Sequence, residues 1–143
     1  MSATPASLWL RIAAAIYDLF PLLALWMLTA GAALLIAQGS VDVTHPAFAY
    51  RFSLRAALLA VTAAYFVTSW SRGGQTIGMR AWRLRVVGVD GHVLPWPRAL
   101  LRFFVAIVSL LVAGGGFVWC VFDRHKRGWH DLAARSLLVR LEK

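Results

Sequence analysis

Acidic residues and cysteines are both scarce in this chain of 143 residues. Its 6 Asp and Glu stand against 15 Lys and Arg, which gives a net charge of +9. Cys120 is the only cysteine, so an intramolecular disulfide and a cysteine-based metal cage are excluded. The histidines lie on separate segments without ligand spacing, at positions His45, His92, His125 and His130. We therefore expect no metal site.

Catalytic patterns are also missing. Apart from Thr44, which precedes His45, no serine or threonine has a histidine next to it, and residues 73–79 lack the Gly-Lys-Ser/Thr ending of a phosphate-binding loop. We therefore expect no enzyme and no cofactor. The basic charge comes without a nucleic-acid reader motif and alternates with long apolar runs, which is typical of a surface facing anionic lipid headgroups. The expected partner is the lipid bilayer, and no nucleic acid is expected.

What the chain has in abundance is apolar sequence, which makes up 60% of its residues. Two runs, residues 8–37 and 54–70, are long enough to cross a bilayer as helices. The polar connection between them, residues 38–53, carries one Asp and one Arg, whereas the next segment is rich in arginine. The positive-inside rule then places the N-terminus and the basic segments in the cytoplasm.

The segment 71–97 is basic and carries an alternating apolar and charged stretch that predicts a strand. A second strand is predicted at Ser136–Leu141, within the basic tail 123–143, after a short helix at Trp129–Ala134. Pairing of Leu84–Val89 with Ser136–Leu141 would give a small cytoplasmic two-stranded β element.

A third apolar segment, residues 98–122, is open to two interpretations. Its length suits a third span, but a span would put the basic segments before and after it on opposite sides. A turn at Gly114–Gly116 would instead make a helical hairpin that returns to the cytoplasm. We favour the hairpin. The predicted fold class is an all-α membrane protein of one domain, residues 1–143, with two transmembrane helices and this hairpin or span.

The first apolar run contains two charged residues, Arg11 and Asp18. An aspartate at the centre of a span costs roughly 2.5–3.5 kcal/mol, so some interaction must offset it. The spacing places both residues on one helical face, about 10 Å apart along the axis. Pro21 removes a helical hydrogen bond to the carbonyl of Tyr17 and predicts a kink there.

Two roles for Asp18 remain open. In the structural one, it accepts hydrogen bonds from backbone amides or from Arg98 or Arg102 and pins the helices together. In the functional one, it exchanges a proton or binds a cation beside the Tyr17 carbonyl. Arg11 is expected to extend to the inner headgroups.

Two further aspartates lie in the basic tail. Asp131 is expected to clamp an arginine of the middle segment, Arg80 or Arg83. For Asp123 we expect local pairing with Arg124 or Lys126.

With these residues assembled, the chain resembles the RDD family, small prokaryotic membrane proteins named for one arginine and two aspartates. Arg11, Asp18 and Asp131 match the signature, and Gly74–Arg80 is similar to the family's Gly-x-Thr-x-Gly turn. Met79 stands where the family usually has lysine or a similar residue. The resemblance covers about residues 6–140 and implies a multi-pass protein of the bacterial inner membrane. It also implies a suspected role in transporting unknown ligands, since some members are proposed sodium/proton antiporters.

Two functions are therefore compatible with the sequence. One is an ion-coupled carrier in which Arg11 and Asp18 line a polar path, and it requires a homo-oligomer because two spans enclose little volume. The other is a non-transporting accessory or scaffold subunit that assembles or stabilises another membrane protein.

Overall fold

The computed structural model describes residues 3–39, 41–42 and 44–141. The ends of the predicted domain, residues 1–2 and 142–143, and positions 40 and 43 of the predicted connection lie outside the described residues. Within the described chain the elements, in order, are β1 (Ala3–Pro5), α1 (Leu8–Ile36), α2 (Phe48–Arg72), α3 (Ile77–Ala81), β2 (Leu84–Gly88), α4 (Trp96–Leu111), α5 (Gly115–Val118), a 3₁₀ turn (Trp119–Val121), α6 (Trp129–Ala133) and β3 (Ser136–Leu141).

The two longest helices, α1 and α2, are long and apolar enough to cross a membrane. At most 6% of the most apolar stretch of either helix is buried, so almost none of its residues is fully enclosed by the rest of the protein. α1 continues through Pro21, and the kink at that residue stays a prediction. α2 begins at Phe48 rather than at the predicted Leu54, because the aromatic residues before Ser53 extend the helix beyond the uninterrupted apolar run.

The sheet has three strands among the described residues, not the two predicted. β3 lies in the middle and pairs antiparallel with β2, with Val86 opposite Leu138, and with β1, with Thr4 opposite Arg140. Leu84 and Val86 are buried, in agreement with the alternating pattern. β1 escaped prediction because three residues are too few to show a period of two.

The third apolar segment is not one straight helix. α4 ends at Leu111, Gly114 adopts a left-handed conformation with φ 74°, and the following helical turns lie at 109° to α4. β2 precedes this segment and β3 follows it, and the two strands are hydrogen-bonded to each other. The two ends of the segment therefore lie near each other, which favours the hairpin over the span.

The core lies at one end of the molecule. It joins the sheet residues Leu84, Val86 and Leu138 to Trp70 at the end of α2 and Phe103 on α4. The short elements thus form a cap over the neighbouring ends of the long helices. Both aspartates of the signature lie where this cap meets the helices.

Candidate functional site

The first buried carboxylate, Asp131, lies in the first turn of α6. Its Oδ2 accepts a hydrogen bond from the backbone N–H of Gly128, the residue that precedes the helix, at 3.0 Å. Arg11 Nη1 donates to the same oxygen at 2.7 Å, and Arg102 Nη1 donates to Oδ1. One carboxylate therefore ties together α1, α4 and α6.

The two arginines of this cluster make further contacts. Arg11 Nη2 donates to the Lys126 carbonyl at 2.7 Å, and Arg102 Nη1 donates to Ser136 Oγ at 2.7 Å. The Arg102 guanidinium also lies 5.0 Å from the ring centroid of Trp70, within the range of a cation–π interaction. These contacts fix both guanidiniums in place, so the cluster is rigid.

The electrostatics of the cluster favour a permanently ionised Asp131. Burial alone raises the pKa of this carboxyl, but the guanidiniums of Arg102 and Arg11 and the Gly128 amide more than offset it and hold the pKa well below its ordinary value. Burial and the charge of Arg102 lower the pKa of the neighbouring His130 to about 3. The imidazole is therefore neutral at pH 7, with its Nε2 3.7 Å from Asp131 Oδ1.

The second buried carboxylate, Asp18, faces α2 and α3. Tyr65 Oη donates to its Oδ1 at 2.7 Å and Thr76 Oγ1 donates to its Oδ2 at 2.6 Å. The backbone N–H of Gly78 donates to Oδ1 at 2.8 Å. Asp18 is 2% exposed, and all of these donors are uncharged.

Local sequence explains how α3 comes so close to Asp18. Thr76 is the N-cap of α3 and accepts a hydrogen bond from Met79 N, so its side chain both caps the helix and donates to the carboxylate. A Cβ built at Gly78 would overlap the Ala14 carbonyl oxygen of α1. Only glycine at position 78 allows α3 to lie this close to α1, so the Gly74–Gly78 motif determines how α3 packs against α1.

The two carboxylates differ in chemistry. Asp131 is held by two fixed cations, whereas no ion pair involves Asp18 among the residues the structure describes. Hydroxyl groups such as those of Tyr65 and Thr76 can either donate or accept a hydrogen bond, whereas a guanidinium can only donate. The Asp131 cluster is thus suited to a permanent charge, whereas two of the three donors to Asp18 are hydroxyl groups whose hydrogen bonds can reverse direction.

Several of the predicted partners are wrong. Asp18 bonds the predicted kind of group, a backbone amide, but in the described part of the chain it bonds neither Arg98 nor Arg102. Arg102 bonds Asp131 instead. Arg11 is buried against Asp131 and does not extend to the surface. The error arose because these contacts join positions up to 120 residues apart, which local spacing cannot reveal.

The remaining corrections concern the predicted ion-pair partners of Asp131 and Asp123. Asp131 bonds neither Arg80 nor Arg83 in the described structure, since Arg11 and Arg102 occupy its oxygens. Asp123 pairs with Arg127, at 3.0 Å, and not with Arg124 or Lys126. That pairing lowers the pKa of Asp123 to about 2. The Tyr17 ring packs edge-on against Phe20 and Trp82, and the cation site beside the Tyr17 carbonyl stays a prediction.

Sequence reasoning missed three residues of the site. They are Tyr65 and Thr76, which bond Asp18, and Ser136, which bonds Arg102. Thr76 could have been found, since it is the central residue of the Gly-x-Thr-x-Gly turn. Nothing in the local sequence of Tyr65 separates this role from that of an aromatic residue in an interfacial belt.

An open cleft of about 280 Å³ lies beside Asp18, between the end of α2 and the start of α3. Tyr65 lines the cleft and its hydroxyl donates to Asp18, so this side chain lies between the buried carboxylate and the cleft. Over the part of the chain that the structure describes, no three His, Cys, Asp or Glu side chains are grouped to hold a metal ion.

Fold and site together define a class: a helical protein with two candidate membrane spans, capped by short elements that a buried Arg–Asp–Arg cluster holds in place. The family model that matches is that of the RDD family, over residues 5–135, and the chain belongs to this family. This confirms the resemblance drawn from Arg11, Asp18 and Asp131. No curated protein and no solved structure matches the chain. The family and the apolar helices indicate a membrane protein.

Proposed function

We propose that the protein is a cation- or proton-coupled carrier of the bacterial inner membrane, with Asp18 as the exchanging group. The observation that carries the proposal is the setting of this carboxylate: it is buried, it has only uncharged donors, and one of these, Tyr65, lines an open cleft. A buried ionisable group inside an apolar helix is a mark of ion and proton pathways.

The exchange would use the hydroxyl groups around Asp18. When the carboxylate binds a proton, the hydroxyl of Tyr65 or Thr76 can turn and accept the hydrogen bond that it previously donated. Tyr65 Oη also accepts a hydrogen bond from the backbone N–H of Ile77, at 3.2 Å, which keeps the ring beside Asp18 during exchange. The Asp131 cluster, with its fixed cations, serves to hold the cap.

A pathway across the membrane requires more helices than one chain supplies. α1 and α2 leave their apolar surfaces uncovered, with Met27 75% and Leu35 79% exposed. Alanine-rich stretches on both helices allow close helix packing in a membrane. The proposal therefore includes a homo-oligomer, with the N-terminus, cap and basic segments in the cytoplasm.

The test is flux into liposomes that contain the purified protein. A proton or sodium gradient should drive ion exchange in the wild type, and Asp18→Asn should abolish it while the variant still inserts and keeps its oligomeric state. Asp90→Asn is the matched control, because Asp90 lies in an exposed turn and only bonds the N–H of His92. Absence of flux in the wild type under both gradients, or full flux in Asp18→Asn, would reject the carrier.

The alternative is the accessory or scaffold subunit. It is favoured by one observation: the Arg11–Asp131–Arg102 cluster anchors a rigid cap while the long helices stay uncovered, as expected of a part that packs against a larger membrane protein. Mass measurement of the protein extracted with native lipid separates the two functions. A symmetric homo-oligomer supports the carrier, and a stoichiometric complex with a different membrane protein supports the subunit.

A further inference from the structure

The cleft beside Asp18 carries a second feature, a concentration of positive charge. We call it the arginine cleft; it is lined by Tyr65, Thr68, Ser69, Arg72, Gly73, Gln75, Ile77 and Arg80. No carboxylate is among these lining residues. Its two arginines stand at the C-terminal end of α2 and on α3, both exposed.

The charges of the arginine cleft are not neutralised by the protein. Within the described ranges, neither Arg72 nor Arg80 makes a side-chain hydrogen bond or ion pair, whereas Arg11, Arg102 and Arg127 all pair with aspartates. Asp18 is nearby, but its oxygens are occupied by other donors. The cleft therefore presents two guanidiniums that are free to bind an anion.

A third arginine adds to this charge. The side chain of Arg85 runs over the Gly73–Gly74 turn, because a Cβ built at Gly74 would lie 3.2 Å from Arg85 Nε. The same turn is approached by Arg80, whose Nη2 lies 3.9 Å from a Cβ built at Gly73. The Nε of Arg85 is buried and has no hydrogen-bond partner among the described residues. Arg85 is not among the lining residues, so it adds positive charge beside the cleft rather than a direct contact in it.

The geometry favours phosphate as the anion. Guanidinium groups bind phosphate oxygens with paired, charge-assisted hydrogen bonds, and several arginines around one opening suit its multiple oxygens. The Ser69 side chain, also in the lining, can donate as well. Chloride is a single atom and offers no such pair of oxygens.

The surroundings indicate a lipid as the source of the phosphate. Ile77, at the edge of the cleft, is 56% exposed, so apolar surface adjoins the arginines. At the other end of α3, Trp82 packs edge-on against Tyr17 of α1 with ring centroids 5.9 Å apart. Such aromatic residues are enriched at the level of the headgroups. A phospholipid places a phosphate and an apolar chain side by side, as this surface requires.

We propose that the arginine cleft binds the phosphate of an anionic phospholipid of the inner leaflet. Arg72 and Arg80 hold the phosphate oxygens, Arg85 approaches from the Gly73–Gly74 turn, and Ile77 contacts the apolar part of the lipid. The site does not depend on the carrier function, since a scaffold subunit would bind the same lipid.

The experiment measures binding of dioctanoyl phosphatidylglycerol to the full chain in neutral detergent. Arg72→Gln and Arg80→Gln should each weaken binding by about tenfold, the effect of losing about 1.4 kcal/mol of charge-assisted hydrogen bonding. Arg124→Gln is the matched control, an exposed arginine remote from the cleft in sequence, and should leave binding unchanged. An unchanged thermal midpoint shows that each variant is folded.

Two further probes separate the sources of phosphate. Dioctanoylglycerol, which has the same chains without phosphate, should not compete with the phospholipid, and inorganic phosphate should compete only at far higher concentration. Displacement by equimolar inorganic phosphate would assign the cleft to a soluble anion and overturn the lipid source. Equal binding by wild type and by the Arg72→Gln/Arg80→Gln variant, or equal weakening by Arg124→Gln, would overturn the site itself.

Discussion

The two signature aspartates are both buried, yet they solve the problem of a buried charge in opposite ways. Asp131 is neutralised by two arginines that come from other elements, Arg11 and Arg102. Asp18 has a helix N-cap threonine, a tyrosine and a backbone amide, and no cation among the described residues. Removing one partner from the Asp131 cluster would leave a buried charge uncompensated, at a large cost in free energy. The hydroxyl partners of Asp18 can instead donate or accept a hydrogen bond.

Removal of the Asp131 charge should therefore destabilise the cap severely. Asp131→Asn leaves two buried guanidiniums facing each other and should lower the free energy of unfolding by about 3–5 kcal/mol. Arg11→Met should cost less, because Arg102 still pairs with the carboxylate. The double variant Asp131→Asn/Arg11→Met should lose less free energy of unfolding than the sum of the two single losses, since the two side chains share one interaction. Denaturant unfolding in detergent measures all of these, and additive effects would show that the cluster does not act as a unit.

His130 should make the protein sensitive to mild acid. Its pKa is lowered to about 3 in the folded state, so below about pH 6.5 the unfolded chain binds a proton that the folded chain does not. The contribution of His130 to the free energy of unfolding is thus fully present above about pH 6.5. Below that pH it decreases by about 1.4 kcal/mol for each unit by which the pH is lowered. Thermal unfolding between pH 7 and 5 should show this slope in the wild type and a flatter one in His130→Gln. Equal slopes would assign the acid sensitivity to other groups.

The sequence identified the residues of the site better than their contacts. The cost of a charge inside an apolar helix is a local property, so Asp18 stood out without a structure. Its partners Tyr65 and Thr76 lie 47 and 58 residues away, and no periodicity connects positions so far apart. The same limit explains why Arg102 was assigned to Asp18 and not to Asp131.

At the scale of elements, α3 completes the site that forms around Asp18 between α1 and α2. It has only five residues, and its position depends on what it contacts at its N-terminus. Thr76 and Gly78 bond Asp18 there, while the missing side chain of Gly78 lets the helix touch Ala14. The family resemblance implied a Gly-x-Thr-x-Gly turn after α2, but a helix this short has too few residues to show a period of 3.6.

Gly78→Ala should push α3 away from α1. The added methyl group meets backbone, which cannot move aside as a side chain can, so the variant should lose about 1–3 kcal/mol of stability and its Gly78–Asp18 hydrogen bond. Gly31→Ala is the matched control: it lies in α1 with nothing within 4 Å of the new Cβ, and should be neutral or stabilising by up to about 1 kcal/mol. Thermal midpoints in detergent compare the two, and equal midpoints would contradict the close contact.

At the scale of the whole molecule, the sheet decides how the chain is arranged. β1 precedes α1, β2 follows α2, and β3 follows the bent α4–α5 segment, yet the three strands pair in one sheet. If α1 and α2 cross a bilayer, the strands must share one compartment, and the third apolar segment must enter and leave on the same side. The charge rule predicted this arrangement from the arginines, but the N-terminal strand that completes it carried no signal of its own.

This arrangement predicts which positions are accessible from each side. In a Cys120→Ala background, which has no other cysteine, Asp90→Cys and Arg124→Cys should react with a membrane-impermeant maleimide in inside-out vesicles only. His45→Cys, in the connection between α1 and α2, should react in right-side-out vesicles only. Because the sheet joins the segments before and after α4 and α5, positions 90 and 124 must always label together. Labelling of these two positions from opposite sides would mean that the third apolar segment crosses the membrane and that the sheet does not form there.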